Sequence, residues 1–292
     1  MRATTLGALL CLALTQTPAE AASKQVRIAY VEWADAVVAT NILKLALEEK
    51  GYEVKTIPLA AAAMWQAVAT GDADASVAVW LPVTQGAYYD KLKNRLELIG
   101  PNVTGAKIGW AVPASSDLNS IEDLKTKAAE VGGQVIGIDP GAGIMKSSEA
   151  AIKAYGLSVK LVDGSDATMT SALKDAVRQK KDIVVTAWTP HWMFARYELK
   201  YLADPKKAFG EDESVNTLAR KGLKDDMPEV YAILKKFKLS VSDVNGPGSL
   251  RDCGLSKFPG RRVRRWPVIN RLRDRASPFQ VGGRGALGRA AG

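Results

Sequence analysis

The sequence predicts an α/β protein of two lobes with a ligand crevice between them. Strand-like and helix-like segments alternate from Val26 to Leu239, which favours layers built on parallel strands. The chain has 292 residues, 47% of them hydrophobic, which is enough for two lobes of ordinary size. The alternation is interrupted at Pro113 by a Ser-rich loop, which indicates a crossover between the lobes.

The first predicted lobe comprises residues 25–112 and 208–245. Its two early helices stop at Gly51 and Gly71. The segment "LKYLADP" is expected to return the chain to this lobe, where the helix "DMPEVYAILKKF" follows. Strands are predicted in "VRIAYVEW", "EVKTIPL" and "DASVAVW", and the early helices in "DAVVATNILKLALEEKGY" and "AAMWQAVATG".

The second predicted lobe comprises residues 113–207. Ser120 is placed to cap the helix "IEDLKTKAAE", with Asp123 in the position of the capping-box acid. The segments that follow alternate again. Strands are predicted in "QVIGID", "VKLVDG" and "DIVVTAW", and helices in "IMKSSEAAIKAYG" and "ATMTSALKDAVRQK".

The two ends of the chain differ in composition from the lobes. Residues 1–21 combine Arg2, the short apolar stretch "TLGALLCLAL" and a small-residue cleavage site ending at Ala21, which predicts a secretory signal peptide. Residues 246–292 hold ten Arg and one Lys against two Asp, so the net charge of +9 lies entirely there. We expect this Gly- and Arg-rich tail to be disordered, and its abrupt change in composition indicates a shifted reading frame.

Three predicted strands end in tryptophan, at Trp33, Trp80 and Trp188. Ligands of open parallel sheets bind beyond the carboxyl ends of the strands, so these indoles are expected to meet in one crevice. Indole faces attract cations, including quaternary ammonium groups that cannot donate hydrogen bonds. The other tryptophans of the lobes are expected to be packing residues: Trp65, Trp110 and Trp192.

The strand "QVIGID" runs into the glycine turn "PGAGI", which opens a helix. Free N–H groups at a helix N-terminus favour an anion, so the turn and the indoles together describe a zwitterionic ligand. A dinucleotide fingerprint is the alternative, but Lys146 stands where its third glycine is required. His191 has no nucleophile elbow beside it and is expected to be a hydrogen-bonded structural residue. We expect no catalytic residue, no metal site and no cofactor.

Four segments resemble the glycine betaine-binding proteins of ABC importers, the group that includes the OpuAC-type proteins. The resemblance runs from about Val26 to about Asn245. It implies the two-lobed periplasmic-binding-protein fold of type II. The segments are "YVEWADAVVATNILKLALEEKGYEV", "MWQAVATGDADASVAVWLP", "GIDPGAGIM" and "VVTAWTPHWMFARYELKYLADP".

The resemblance also implies which residues bind the ligand. Family members carry a histidine in "WLP-x-T-H" that helps to bind the ligand carboxylate. Here the motif reads "WLPVTQ", so Gln85 takes that place and can donate only a neutral hydrogen bond. The residues matching the trimethylammonium site are Trp33, Trp80 and Trp188, and those whose backbone N–H groups match the carboxylate site are Gly143 and Ile144.

These observations predict a monomeric periplasmic protein that captures glycine betaine or a related quaternary ammonium osmolyte. Its partners would be a membrane permease and the ATPase of that permease. Choline and carnitine remain alternative ligands. An enzyme acting on a betaine or choline is the alternative class, but no nucleophile–base pair supports it. A nucleic-acid-binding protein that uses the Arg-rich tail is a further alternative, and we expect no such partner.

Overall fold

The computed structural model describes residues 24–245, so the predicted signal peptide and the Arg-rich tail lie outside the described residues. Nine strands and ten α-helices occur in this range. The strands are β1 (Gln25–Tyr30), β2 (Glu53–Pro58), β3 (Ala75–Leu81), β4 (Leu96–Pro113), β5 (Gln134–Ile136), β6 (Lys160–Val162), β7 (Val184–Thr189), β8 (Leu199–Tyr201) and β9 (Glu213–Arg220). The α-helices are α1 (Ala34–Glu48), α2 (Ala61–Thr70), α3 (Gly86–Leu92), α4 (Leu124–Lys127), α5 (Gly143–Tyr155), α6 (Asp166–Gln179), α7 (Met193–Arg196), α8 (Leu223–Asp226), α9 (Pro228–Lys236) and α10 (Val241–Asn245).

The strands form one curled sheet in the order β2-β1-β3-β9-β4-β7-β5-β6, and β8 also pairs with β4. Strand β1 is parallel to β2 and β3, and β5 is parallel to β6 and β7. These two parallel groups, each with its helices, are the two halves of the sheet. Within each group the carboxyl ends of the strands lie on one edge, where the sequence predicts the crevice.

The sheet is mixed rather than parallel, because β9 runs antiparallel between β3 and β4. Strand β9 is not predicted from the sequence. Its segment "ESVNTLAR" buries polar side chains at Glu213, Asn216 and Thr217, so it lacks the apolar pattern of a buried strand. Tertiary contacts compensate for this burial, since the Asn216 amide donates to the carbonyl oxygens of Val79 and Ser214.

The two halves are joined through the 18-residue strand β4. Residues Leu96–Ala106 pair with β9, and residues Lys107–Pro113 pair with β7 and β8. The change of partner therefore falls inside a continuous strand, six residues before the crossover that the sequence predicts at Pro113. The division of the chain into lobes at residues 112 and 207 stays a prediction.

Most of the predicted helices are confirmed, including α1, α2, α5, α6 and α9. The predicted helix over residues 121–130 is instead a short α4 flanked by 3₁₀ turns, although its capping box of Ser120 and Asp123 is confirmed. Strand β8 pairs antiparallel with the end of β4 before the chain reaches β9. Within residues 24–245, no helix is both long enough and apolar enough to cross a membrane.

Asp74, which precedes β3, links three strands of the first half. Its carboxylate is almost fully buried and accepts hydrogen bonds from the backbone and guanidinium of Arg27 on β1 and from the guanidinium of Arg220 on β9. Burial raises the pKa of Asp74, but the hydrogen bonds from the two arginines outweigh it, and the pKa is lowered overall. The ionised form therefore stabilises the folded chain.

We predict that Asp74→Ala lowers the free energy of unfolding by about 3 kcal/mol at neutral pH, because it leaves two partly buried guanidinium groups without their partner. A depressed carboxyl pKa stabilises the fold above its unfolded value and is lost as pH falls through its folded value. The difference between wild type and variant should therefore shrink below about pH 4. Urea denaturation at several pH values measures both effects.

The matched control is Asp90→Ala, which breaks the exposed pair with Lys93. That change should leave the free energy of unfolding nearly unchanged, because solvent screens an exposed ion pair. Equal effects of the two substitutions would show that Asp74 does not hold the strands together.

Candidate functional site

The three tryptophans at the predicted strand ends line one small cavity. Trp80 and Trp188 are the penultimate residues of β3 and β7, and Trp33 immediately precedes α1 in the connection that follows β1. All three side chains are buried. Because β3 and β7 belong to different halves of the sheet, the cavity is assembled from both halves.

The cavity wall is apolar apart from one threonine and the backbone of the glycine turn. Among residues 24–245, no acidic or basic side chain lines it. The remaining lining residues are Thr84, Ile108, Ile138, Ala142, Gly143 and Ile144. Such a wall excludes water from a bound group and strengthens electrostatic contacts within it.

The N-terminus of α5 forms the end of the cavity that carries backbone donors. Gly143 and Ile144 are the first two residues of this 13-residue helix. Their N–H groups precede the intrahelical hydrogen-bond pattern, and Ala142 at the N-cap offers no side-chain acceptor. The positive end of the helix dipole adds to these donors, so this end of the cavity favours a carboxylate.

Gly143 is in tight contact with the loop that follows β3. A Cβ atom at Gly143 would lie 1.9 Å from the carbonyl oxygen of Thr84. Thr84 is itself fixed, because its N–H and hydroxyl both donate to the buried Glu213 carboxylate, at 3.0 and 2.6 Å. Only glycine therefore lets the two halves approach this closely.

A buried carboxylate on α1 joins the two halves behind the indoles. Asp35 Oδ1 accepts the Trp188 indole N–H at 2.8 Å, and Asp35 Oδ2 accepts the Trp80 indole N–H at 3.2 Å. Burial raises the pKa of Asp35 to about 6, and the nearby Asp166 also raises it, whereas the indole hydrogen bonds and His191 oppose the shift. The Trp33 indole donates similarly to Asp139, at 2.9 Å.

His191 belongs to the support of the site and does not line the cavity. It is fully buried, and its Nδ1 accepts the Met193 backbone N–H at 3.1 Å. Its Nε2 therefore carries the proton and donates to Asp166 Oδ1, at 3.1 Å. Asp166 Oδ2 in turn accepts the Ala34 backbone N–H. The prediction of a hydrogen-bonded structural histidine is confirmed.

Gln85 is not among the residues that line the cavity. Its carboxamide oxygen accepts both the Trp80 backbone N–H, at 3.1 Å, and the Trp65 indole N–H, at 3.2 Å. The side chain is fully buried, and its Nε2 has no hydrogen-bond partner among the described residues. This position gives no support to the expected contact between Gln85 and a ligand carboxylate.

The other tryptophans are placed as predicted. Trp65 and Trp110 are fully buried outside the cavity, and Trp192 is partly buried against the core. Sequence reasoning missed the carboxylates that receive the indole N–H groups, Asp35 and Asp139. Each lies within three residues of a predicted strand end, but no local pattern indicates its partner in the opposite half.

A curled α/β sheet in two halves, with an apolar cavity between them, defines a two-lobed ligand-binding protein. Residues 24–246 match the OpuAC family, described as the substrate-binding domain of ABC-type glycine betaine transport systems. This match covers most of the chain, and the chain belongs to that family. The predicted fold class and family are therefore confirmed.

Individual relatives agree with the family. The chain is 44% identical over 152 residues to the glycine betaine/carnitine transport binding protein GbuC of Listeria monocytogenes serotype 1/2a (strain 10403S), a match covering 51% of each chain, so it spans about half the length of that relative. It is 42% identical to lactococcal OpuAC, crystallised in a closed-liganded conformation with glycine betaine, with a TM-score of 0.77 over 86% of this chain and 96% of that one. The glycine betaine/L-proline-binding protein ProX of Borrelia burgdorferi is 34% identical, with a TM-score of 0.72 over 78% and 91% of the two chains.

We predict that Gly143→Ala weakens ligand binding at least tenfold, because the methyl group would collide with the Thr84 carbonyl and prevent the two halves from meeting. The thermal stability of the variant should also fall, because the methyl group would lie against backbone atoms of Thr84. Gly141→Ala is the matched control, because its Cβ would meet no atom closer than 3.9 Å. Calorimetric titration should show near-wild-type affinity for the control; equal affinities for both variants would contradict the tight contact.

We also predict that Gln85→His lowers the free energy of unfolding by about 1–2 kcal/mol, because one imidazole nitrogen can accept only one of the two N–H groups that Gln85 accepts. Urea denaturation measures this loss. If the variant instead bound carboxylate ligands more tightly while its affinity for choline stayed the same, residue 85 would face the carboxylate after all.

Proposed function

We propose that this chain is the substrate-binding protein of an ABC importer and captures glycine betaine or a closely related quaternary ammonium osmolyte. One observation carries the proposal: three indoles meet in an apolar cavity that has the N-terminus of α5 at another end. The ligand described by this arrangement carries a permanent cation and a carboxylate a short distance apart.

The cationic end is assigned to Trp33, Trp80 and Trp188. Trimethylammonium cannot donate hydrogen bonds, so a polar wall would gain little by binding it. Each well-placed aromatic face instead attracts it by about 0.5–2 kcal/mol, most strongly when water is excluded. The carboxylate is assigned to the N–H groups of Gly143 and Ile144 at the start of α5.

Capture would occur by closure of the two lobes around the ligand. In this proposal the first lobe contributes Trp33 and Trp80, and the second contributes Trp188 and the glycine turn. The closed protein would then deliver the ligand to a membrane permease powered by an ATPase. We further propose that the chain is exported to the periplasm by its signal peptide, functions as a monomer, and binds its ligand without chemical turnover.

Choline and carnitine are the second candidates. The observation in favour of choline is that no basic side chain from the described part of the chain lines the cavity, so the donors found there for a carboxylate are neutral. A cation without a carboxylate would keep all of the indole contacts and lose only the helix contacts. Carnitine has a longer chain between its two charged ends. To bind it, the cavity would have to hold the cation and the carboxylate further apart.

The test is calorimetric titration of the mature chain with glycine betaine, proline betaine, carnitine and choline. We expect saturable binding of at least one of them, and Trp188→Ala should weaken it by more than about 1 kcal/mol, because a desolvated cation–π face is lost. Trp110→Phe is the control, because Trp110 donates to Ser148 outside the cavity. If none of the four ligands binds, or if both variants bind like wild type, the proposal is wrong.

A further inference from the structure

The three indoles of the cavity share one property, which is that each donates its N–H to a carboxylate. Trp80 and Trp188 donate to the two oxygens of Asp35, and Trp33 donates to Asp139. The Asp35 oxygens accept one indole each, so this single side chain fixes a ring from either half of the sheet.

The buried indoles outside the cavity have different partners. Trp65 donates to the carboxamide oxygen of Gln85, and Trp110 donates to the hydroxyl of Ser148. Both acceptors are neutral. A buried carboxylate costs more desolvation than a neutral oxygen, so packing alone does not account for carboxylates at all three cavity indoles.

The choice of acceptor has an electronic consequence for the ring. A hydrogen bond from N–H to an anion is stronger than one to a neutral oxygen and polarises the donor group. Electron density moves from the N–H bond towards the ring, so the ring faces become more negative. Because a cation is attracted to an indole by that negative face, an anionic acceptor strengthens the attraction.

We propose that Asp35, supported by Asp139, is a positioning residue that sets both the orientation of the cavity indoles and their selectivity for a permanently charged ligand. Asp35 does not line the cavity and acts through Trp80 and Trp188. This inference rests on the proposed function, since it concerns the same ligand site. It identifies the cation, rather than the shape of the trimethyl group, as the feature that these carboxylates select.

The titratable groups that face Asp35 are Asp166 on α6 and His191 after β7. With its pKa raised to about 6 by burial, Asp35 is ionised at neutral pH and becomes protonated as pH falls through that value. A protonated Asp35 no longer presents an anion to the two indoles. Affinity for a ligand that does not itself titrate should therefore fall as pH decreases from about 7.5 to 5.

The experiment compares choline with its neutral carbon analogue, in which a tert-butyl group replaces the trimethylammonium group. Tryptophan fluorescence titrations extended to millimolar concentrations give both affinities for wild type, Asp35→Asn and the control Ser148→Ala. Asparagine keeps the shape of Asp35 but offers one acceptor oxygen and no charge. We expect the ratio of choline affinity to analogue affinity to fall at least about fivefold in Asp35→Asn and to stay unchanged in Ser148→Ala.

Two further measurements keep the inference falsifiable. Asp139→Asn, which acts through Trp33 alone, should lower the same ratio by a smaller factor. The choline affinity of wild type should fall between pH 7.5 and 5, and that of Asp35→Asn should vary less. The inference would be overturned if Asp35→Asn kept the wild-type ratio, for example by losing affinity equally for both ligands. A flat wild-type pH profile would overturn it as well. Failure of wild type to bind any quaternary ammonium ligand would instead overturn the proposed function.

Discussion

The buried carboxylate of Asp35 is the contact on which the rest of the site depends. It lies at the start of α1 in the first half of the sheet and accepts indole N–H groups from β3 and β7. Around it, the Ala34 backbone donates to Asp166, and the Thr84 loop abuts Gly143. Except for the hydrogen bond from Trp80, these contacts join one half of the sheet to the other, so the cavity keeps its shape only while the halves are together.

This dependence explains why the wall of the cavity can be almost entirely apolar. The charges that shape the site lie one layer behind the indoles, where other protein groups satisfy them: Asp166, for example, accepts hydrogen bonds from His191 and from the Ala34 backbone. In the proposed complex a ligand would therefore meet aromatic faces and the backbone N–H groups at the start of α5. Such a surface suits a group that carries charge but cannot donate a hydrogen bond, and it would bind an ordinary ammonium group poorly, because an ammonium loses hydrogen bonds to water on entry.

The tryptophans that line the cavity could be predicted from the sequence, because the carboxyl ends of parallel strands lie at the same edge of a sheet. That geometry brings Trp33, Trp80 and Trp188 together without any knowledge of side-chain contacts. The glycine turn could also be predicted as an anion site, since the first N–H groups of a helix have no partner within the helix. Strand β9 could not be predicted, because its buried polar residues find hydrogen-bond partners on strands that are distant in sequence. The hydrogen-bond partners of Asp35 and Gln85 could not be predicted for the same reason. The donors to a buried polar side chain often come from residues distant in sequence, and no local pattern identifies them.

The deciding measurement is a crystal structure of the mature chain with glycine betaine. We expect the quaternary nitrogen to lie within about 6 Å of the ring centroids of all three cavity indoles, and the carboxylate to accept hydrogen bonds from the N–H groups of Gly143 and Ile144. We also expect both indole hydrogen bonds to Asp35 to be retained in the complex. A ligand bound outside this cavity, or one whose carboxylate points towards the indoles, would contradict this binding mode.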